Sequence, residues 1–347
     1  MNCEISAITY YLPDAVVTNA DLAKQFPEWS VEQIEAKTGI QERHVVDPET
    51  CSSDLAVKAA EELFQSGACD RSGVDFLLLC TQSPDYFLPT TACILQERLS
   101  LPKTCGALDF NLGCSGYVYG LALAAGLIRA GCASAVLLLT AETYTKFIPS
   151  EDRSLRTIFG DAAAATLIQS RADGTVGPFV FGTDGSGAQE LIVSAGAMRR
   201  RSGREGKTAI SQDEDGKTAN PCHLYMNGPE IFNFTLREIP GVVTDLLKRA
   251  EMRSEDIDLF VFHQANHYML EHLRKKLRIP EDKFFVSMKL YGNTVSSTIP
   301  IALADAARSG KLHAGAMVML VGFGVGYSWA ATLVRWSPNF ICEAGTS

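Results

Sequence analysis

One pattern of apolar segments occurs twice in this chain. Each half contains a short apolar run, then a second run, and then a segment that ends in Ala-Ala-Thr-Leu and an aliphatic residue. These segments are DFLLLC at 75–80, AVLLLT at 135–140, AATLI at 164–168, DLFVFH at 258–263, AMVMLV at 316–321 and AATLV at 330–334. Such runs are typical of strands buried on both faces, and the helical segments between them predict parallel sheets covered by helices. The repetition predicts an α/β protein with two related halves, residues 1–170 and 171–347.

Composition and charge narrow the classes of function. Apolar residues are 46% and charged residues 20% of the chain, as in ordinary globular enzymes, and the net charge of −9 argues against a nucleic-acid partner. The ten cysteines include no C-x-x-C pair, so we expect no metal site and a reducing, cytoplasmic location. No secretory signal is visible at the start. The most apolar stretch, 117–141, is interrupted by Arg129 and Gly131, which predicts a buried helix and strand without a membrane span.

Cys114 is the first candidate for chemistry. It lies in NLGCSG, between a strand-like run at 106–110 and an apolar helical run at 117–129. The start of a helix favours thiolate over thiol, and its free backbone N–H groups can hold a developing oxyanion. This setting predicts a nucleophile that attacks a carbonyl group. The alternative is a small buried apolar residue, which is the ordinary role of a cysteine.

Two further candidates lie in the second half. His263 follows its apolar run directly, at the carboxyl end of a predicted strand, where ligands gather in open α/β sheets. Asn293 lies in the loop YGNT, just before a predicted helix. Taken alone, the histidine could be a core residue and the asparagine a turn or capping residue.

These residues belong to a larger set of motifs. The set is TGIQERH at 38–44, NLGCSG at 111–116, FGDA at 159–162, HQAN at 263–266, YGNT at 291–294 and FGVG at 323–326. In this order the motifs resemble the ketoacyl synthase III family (3-oxoacyl-[acyl-carrier-protein] synthase III) over nearly the whole chain. The resemblance implies a thiolase-like fold with a layered αβαβα architecture. It also implies a catalytic triad of Cys114, His263 and Asn293.

The chemistry of the family explains why these residue types are needed. A thiolate takes an acyl group from an acyl-CoA, and a malonyl thioester then loses CO2 to give an enolate. A neutral histidine and an asparagine amide can both donate hydrogen bonds to the enolate oxygen. The resemblance implies that the backbone N–H groups of Cys114 and Val325 hold the oxyanion on the acyl-cysteine. It further implies a coenzyme A thioester as substrate, with no permanently bound cofactor and no metal.

Two relatives of this fold are disfavoured by their catalytic residues. A thiolase needs a second cysteine in its C-terminal glycine motif, and residues 322–326 contain none. A hydroxymethylglutaryl-CoA synthase pairs its cysteine with a catalytic glutamate. Glu142 is the nearest candidate in sequence, but it lies in a loop of small residues that gives this role little support.

The resemblance also assigns residues to substrate contacts. Coenzyme A is expected to contact Trp29, Arg153 and Asn266. The acyl pocket is expected to include Leu88, Phe159 and Phe323. Acyl carrier protein is expected to dock on Arg274, Lys275 and Lys276. Leu88 is expected to enter the acyl pocket of the partner in a homodimer, where it would admit longer or branched chains than a phenylalanine. Several positions depart from the family pattern. Tyr268 replaces a common arginine and Asn233 a common lysine. Val325 interrupts a glycine run that is usually longer, and the spacing from Trp29 to Thr38 is longer than in the family, so the tryptophan is not placed cleanly. The patch at 274–276 could equally be an ordinary solvated helix face.

The sequence leaves three candidate functions, and it leaves two interpretations of one basic segment. Condensation leads, over acyl transfer from the same acyl-cysteine to an alcohol or amine, and over an inactive partner subunit of a heterodimer. The intact Cys–His–Asn set favours condensation, because the asparagine is most useful for the enolate. The basic segment 198–220 is either a solvated surface loop or a cationic lip for an anionic cofactor or carrier.

Overall fold

The computed structural model describes residues 2–201, 211–212 and 218–337. The helices are α1 (Asn19–Gln25), α2 (Val31–Thr38), α3 (Ser52–Gln65), α4 (Thr91–Arg98), α5 (Gly116–Arg129), α6 (Arg153–Arg156), α7 (Gly228–Ala250), α8 (His267–Leu277) and α9 (Thr298–Arg308). The strands are β1 (Asn2–Tyr11), β2 (Ala15–Thr18), β3 (Glu42–Val45), β4 (Phe76–Cys80), β5 (Gly106–Phe110), β6 (Ala135–Glu142), β7 (Ala162–Arg171), β8 (Val176–Thr183), β9 (Leu191–Val193), β10 (Ser211–Gln212), β11 (Thr218–Ala219), β12 (Leu224–Met226), β13 (Leu259–Phe262), β14 (Phe284–Phe285), β15 (Met317–Gly324) and β16 (Ser328–Arg335).

Two five-stranded sheets form the centre of the molecule. Their strand orders are β1-β7-β6-β4-β5 and β14-β13-β15-β16-β8, so the repeated apolar runs occupy equivalent central positions. The sheets are mixed, which corrects the expectation of parallel sheets. In the first, β4 is parallel to β5 and β6, but β7 is antiparallel to β6 and β1. In the second, β16 is antiparallel to β15 and β8.

The length of the connections explains the antiparallel pairs. A parallel pair needs a crossover of a dozen or more residues, usually with a helix. β15 and β16 are separated only by residues 325–327, so the chain can only return antiparallel. β6 and β7 are separated by 143–161, which contains short helical turns but no helix long enough to cross the sheet.

Helices and sheets alternate in five layers. α5 and α9 lie between the sheets, since Leu121 and Leu303 share one core cluster with Leu138 of the first sheet and Leu320 of the second. α3 and α4 cover the outer face of the first sheet, and α7 and α8 cover that of the second. α5 is apolar on most faces because both of its sides are buried. The αβαβα prediction is confirmed.

The chain passes from the first sheet to the second after β7. β7 ends at Arg171, and β8, the next strand, joins the second sheet. The division of the two halves at residues 170 and 171 stays a prediction. Of the basic segment 198–220, residues 202–210 and 213–217 lie outside the described residues. Across the described ranges, no helix is long and apolar enough to span a membrane.

Candidate active site

Cys114 lies between the end of β5 and the first residue of α5, with 6% of its surface exposed. The backbone N–H groups of Cys114 and Val325 are near enough to its sulfur to favour the thiolate and to lower the pKa of the thiol. Gly324 faces the thiol so closely that a Cβ there would lie 2.9 Å from the cysteine Cβ and 3.1 Å from Sγ. The FGVG motif therefore supplies the space for the thiol and one of two convergent N–H donors.

The pKa of Cys114 differs from the sequence expectation. Burial, and to a smaller extent the nearby Glu142, raise the pKa of this thiol to about 12, against the two N–H groups, which lower it. A helix start was expected to favour the thiolate. Desolvation outweighs that effect, so the resting group is the thiol.

His263 follows β13 directly and is 2% exposed. Its backbone N–H donates to the carbonyl oxygen of Val321, and its Nδ1 lies 2.8 Å from Thr298 Oγ1. The ring meets Phe323 edge to face, with centroids 5.6 Å apart. Burial lowers the pKa of His263 to about 3, so the imidazole is neutral at physiological pH.

Asn293 is held by the first half of the chain. Its backbone N–H donates to the Ile158 carbonyl at 2.8 Å, and its own carbonyl accepts from Gly160 N at 3.1 Å. Its Oδ1 accepts from the N–H of Val295 at 2.9 Å, and Val295 has an unfavourable φ of 55° for a β-branched residue. Since Oδ1 is engaged and no described protein group takes up Nδ2, the amide is left as a donor.

The FGDA and YGNT motifs explain this close contact. A Cβ at Gly160 would lie 2.4 Å from the carbonyl oxygen of Tyr291, so the two loops can approach only with glycine there. Asp161 follows and accepts from the backbone N–H groups of Val46 and Thr145, both at 2.9 Å. The bridge between Phe159 and Asn293 thus joins the two halves beside the cysteine.

Cys114, His263 and Asn293 line one cavity of about 2080 Å³. They come from three different elements, so only the fold brings them together. Of the other predicted site residues, Phe159 and Phe323 line the inner wall, and Arg153 and Asn266 also line this cavity. Further apolar side chains on the wall are Tyr144, Leu155, Ile158, Leu191, Leu224, Met226 and Ile231. The cavity can therefore take an acyl chain next to the thiol.

Two of the residues predicted for coenzyme A, Trp29 and Arg153, lie together although the sequence spacing is irregular. Trp29 is not among the residues that line the large cavity. The Arg153 guanidinium is 5.2 Å from the centre of the Trp29 ring and pairs with Glu28 at 2.6 Å. Lys37 Nζ is 4.8 Å from the same ring centre. Asn266 caps α8 by accepting from Met269 N at 2.8 Å. An aromatic face with two cations beside it suits a phosphorylated adenine nucleotide.

Other predicted residues do not line the cavity within this chain. Leu88 is 82% exposed in a surface loop, next to Phe87, which is 75% exposed. Arg274 and Lys275 pair with Glu271 at 2.6 and 3.2 Å, at the end of α8 remote from Asn266. Lys276 donates to the Leu236 carbonyl at 2.8 Å. The roles of these residues in the acyl pocket and in carrier docking stay predictions. By contrast, Tyr268 and Asn233 both line the cavity.

Sequence reasoning missed a buried polar network behind the cysteine. Glu142 is fully buried and accepts from Ser296 Oγ at 2.7 Å, Gln82 N at 3.1 Å and Ser83 Oγ at 3.2 Å. Burial raises the pKa of this carboxyl to about 8. Glu142 is not among the residues that line the cavity, which gives a catalytic glutamate role no support.

The partners of this network follow Asn293 in the sequence. Ser296 bonds to Glu142, Ser297 to Thr140 at 2.8 Å, and Thr298 to His263. Three consecutive hydroxyl residues before an apolar helix were the signal that could have pointed to them. Among the described residues, no group of three or more His, Cys, Asp or Glu side chains could hold a metal ion.

Comparison with known proteins agrees with these observations. Residues 108–185 match the family described as 3-oxoacyl-[acyl-carrier-protein (ACP)] synthase III, and residues 247–336 match its C-terminal part. The β-ketoacyl-[acyl-carrier-protein] synthase III of Clostridium tetani is 36% identical over 94% of this chain and 96% of that protein.

Solved structures extend the likeness to the whole fold. A crystal structure of a 3-oxoacyl-(acyl-carrier-protein) synthase III is 51% identical, with a TM-score of 0.93 over 97% of this chain and all of that one. The 3-oxoacyl-(acyl-carrier protein) synthase of Burkholderia xenovorans LB400 is 36% identical, with a TM-score of 0.90 over 98% of this chain and 96% of that one. The motifs, the layered fold and these relatives agree, and the chain belongs to the 3-oxoacyl-[acyl-carrier-protein] synthase III family.

Proposed function

We propose that this protein condenses an acyl-CoA starter with malonyl-acyl carrier protein, with loss of CO2, to give a 3-oxoacyl product. The observation that carries the proposal is the shared cavity of Cys114, His263 and Asn293, with the backbone N–H groups of Cys114 and Val325 near the sulfur. A reaction of this kind initiates fatty-acid synthesis or a related specialised pathway. It needs no resident cofactor, because side chains and backbone amides hold each negative charge.

Acylation is the first step. The Cys114 sulfur attacks the thioester carbonyl, and the C–S bond to coenzyme A breaks. The thiol proton leaves with the coenzyme A sulfur, so the product is the free coenzyme A thiol. The N–H groups of Cys114 and Val325 hold the oxyanion between these events. Because the resting thiol has a raised pKa, proton transfer accompanies the attack.

Decarboxylation and condensation follow. The malonyl carboxylate leaves as CO2, and its bonding electrons form an enolate on the thioester. Neutral His263 and the Nδ2 amide of Asn293 donate hydrogen bonds to the enolate oxygen. The enolate carbon then attacks the acyl-Cys114 carbonyl, the cysteine sulfur leaves as a thiolate, and it takes up one proton from solvent to restore the thiol. A buried neutral imidazole suits this work, since no C–H proton has to be removed.

Substrates and partners extend the same proposal. Trp29, Arg153 and Asn266 bind the coenzyme A moiety of the starter, and Phe159 and Phe323 contact the acyl chain. Acyl carrier protein delivers the malonyl group, with Arg274, Lys275 and Lys276 as its proposed docking patch. The nine cysteines of the described part are free thiols, which supports a cytoplasmic protein.

A homodimer accounts for two exposed features. β5 is an edge strand of the first sheet, and an open edge can pair with the same strand of a second copy. Tyr86, Phe87 and Leu88 are 62%, 75% and 82% exposed, which is unusual for large apolar side chains. We infer that this loop covers the acyl pocket of the second copy, with Leu88 at its floor.

The test is stepwise labelling. Wild-type protein and Cys114→Ala are incubated with radiolabelled acetyl-, hexanoyl- or decanoyl-CoA, and malonyl-carrier protein, malonyl-CoA or small alcohols are then added separately. Cys93→Ala is the matched control, because Cys93 is an exposed free thiol. We expect label on every protein except Cys114→Ala, then CO2 release with a 3-oxo product.

Each alternative has its own result in this experiment. Transfer of label to an alcohol without CO2 would support the acyltransferase, and absence of label on Cys114 with every donor would leave an inactive subunit. A strict preference for acetyl-CoA would contradict the proposed effect of Leu88 on chain length.

A further inference from the structure

The inner wall of the cavity has one polar position among its apolar side chains. Among the described residues of that wall, Tyr144 is the one with a hydroxyl group, and the others are leucine, isoleucine, methionine and phenylalanine. Tyr144 is 5% exposed and belongs to the same apolar cluster as Cys114 and Phe159. An acyl chain on the cysteine sulfur therefore lies beside this tyrosine.

The ring of Tyr144 is fixed by aromatic neighbours. Its centroid lies 5.2 Å from that of Phe159 and 5.7 Å from that of Phe147. Burial raises the pKa of Tyr144 well above its ordinary value, so the phenol is protonated at physiological pH. The side chain thus offers a neutral hydroxyl group at a constant place in the cavity wall.

This hydroxyl has one weak partner. It donates to Gln82 Oε1 at 3.3 Å, which is longer than the usual O–H···O bond of about 2.8 Å. No described group donates to the Tyr144 oxygen, so its lone pairs are left for a ligand. A buried polar group gains free energy when a ligand completes its hydrogen bonds, and an alkyl chain cannot do this.

The loop of the nucleophile holds Gln82 in place. Gly113 leaves room for the amide, since a Cβ there would overlap Gln82 Oε1. The backbone N–H of Gln82 donates to Glu142 at 3.1 Å, and its Nε2 donates to Asn111 Oδ1 at 3.4 Å. Asn111 directly follows the edge strand β5. In the proposed homodimer, the polar pair of Tyr144 and Gln82 therefore lies on the side of the pocket that the second copy covers.

We propose that Tyr144 selects acyl-CoA starters that carry a hydroxyl group on the acyl chain. The substrate hydroxyl donates to the Tyr144 oxygen, while the tyrosine proton stays on Gln82. A methyl group forms no hydrogen bond, and a carbonyl group has no proton to donate. The inference rests on the proposed acylation of Cys114 and names the class of starter. Tyr144 is then a specificity-determining residue that takes no part in bond making.

Matched pairs of donors test the proposal. 3-Hydroxybutyryl-CoA and 3-methylbutyryl-CoA differ by a hydroxyl in place of a methyl group, and 4-hydroxybutyryl-CoA and pentanoyl-CoA differ in the same way one carbon further along. The measurement is the second-order rate constant for transfer of each radiolabelled acyl group to Cys114. We expect the wild type to favour the hydroxyacyl member of at least one pair about tenfold, because a site built to bond a hydroxyl discriminates against its absence.

Tyr144→Phe keeps the ring and removes the hydroxyl. The rate constant for the favoured hydroxyacyl donor should fall about tenfold or more, because its hydroxyl then meets an apolar wall. The rate constant for the alkyl donor should change less than about twofold. Tyr117→Phe is the matched control, because Tyr117 is fully buried, accepts from Thr166 Oγ1 at 3.3 Å and does not line the cavity. This variant should keep the wild-type preference, and circular dichroism should show that both variants are folded.

The outcomes separate this inference from the proposed function. The role of Tyr144 would be overturned if the wild type favoured the hydroxyacyl member of neither pair, or if Tyr144→Phe kept the wild-type ratios. Absence of label on wild-type Cys114 with every donor, acetyl-CoA included, would instead refute the proposed function.

Discussion

Glu142 is a buried carboxyl beside the nucleophile, and it should make the stability of the protein depend on pH. Burial raises its pKa from the ordinary 4.5 to about 8, against hydrogen bonds from Ser296, Gln82 and Ser83. The folded state therefore keeps a proton that the unfolded chain releases between pH 4.5 and 8. The contribution of Glu142 to wild-type stability therefore falls as pH rises through this window. The slope is about 1.4 kcal/mol per pH unit, or about 2.7 kcal/mol from pH 5 to pH 7.

Glu142→Gln removes the titration and keeps the shape. The amide oxygen can still accept from Gln82 N–H and Ser83, and the NH2 group can donate to Ser296 Oγ. The measurement is urea unfolding of both proteins at pH 5, 6, 7 and 8 and one protein concentration. We expect the free energy of unfolding of the variant, relative to wild type, to increase by about 1.4 kcal/mol for each pH unit.

Glu271→Gln is the control, because the pKa of this carboxyl is lowered where that of Glu142 is raised. Its bond to Arg274 lowers the pKa of Glu271 to about 2, so this carboxylate is ionised in the folded and unfolded states from pH 5 to 8. The difference from wild type should then be constant. Asp161, with a pKa raised to about 6 by burial, titrates in every protein, and its charge contributes a small part of the raised pKa of Glu142. A Glu142→Gln difference that is also constant would refute the reasoning.

Two further predictions concern the substrate. Gly324→Ala places a Cβ 2.9 Å from that of Cys114 and should displace the thiol. We expect Cys114 to be acylated about 100-fold more slowly, as measured by uptake of labelled acyl-CoA. Circular dichroism should show that the variant is still folded. Trp29→Ala should raise the KM for acyl-CoA about tenfold by loss of stacking. The KM for an acyl-pantetheine donor, which lacks adenine, should not change, and an equal rise for both donors would contradict the assignment.

The sequence predicted the layered architecture because sheets buried on both faces leave continuous apolar runs. The runs at 75–80 and 258–263 became β4 and β13, at equivalent places in the two sheets. Strand direction was not predictable from these runs, since an apolar segment reads the same in either direction. The three-residue connection at 325–327 makes β16 antiparallel to β15. The length of this connection became evident only with the exact ends of the two strands.

The sequence predicted those parts of the candidate site in which a close backbone contact requires glycine. Gly160 and Gly324 are needed for close contacts, and such positions form recognisable motifs. The ionisation state of Cys114 was not predictable, because its local position favours the thiolate and only tertiary burial reverses this. The contact of Trp29 with Arg153 likewise depends on packing between segments that are distant in sequence.

The hydroxyl residues Ser296, Ser297 and Thr298 show how the two halves set one geometry. Successive residues of a helical turn point about 100° apart, so three neighbours can reach three different elements. Here the first two reach Glu142 and Thr140 at the end of β6, and the third reaches His263 at the end of β13. The loop that carries the Asn293 amide is therefore fastened to both sheets. In the proposed reaction the enolate meets the donors of His263 and Asn293 together. This double attachment then fixes the angle between them, which neither half could do alone.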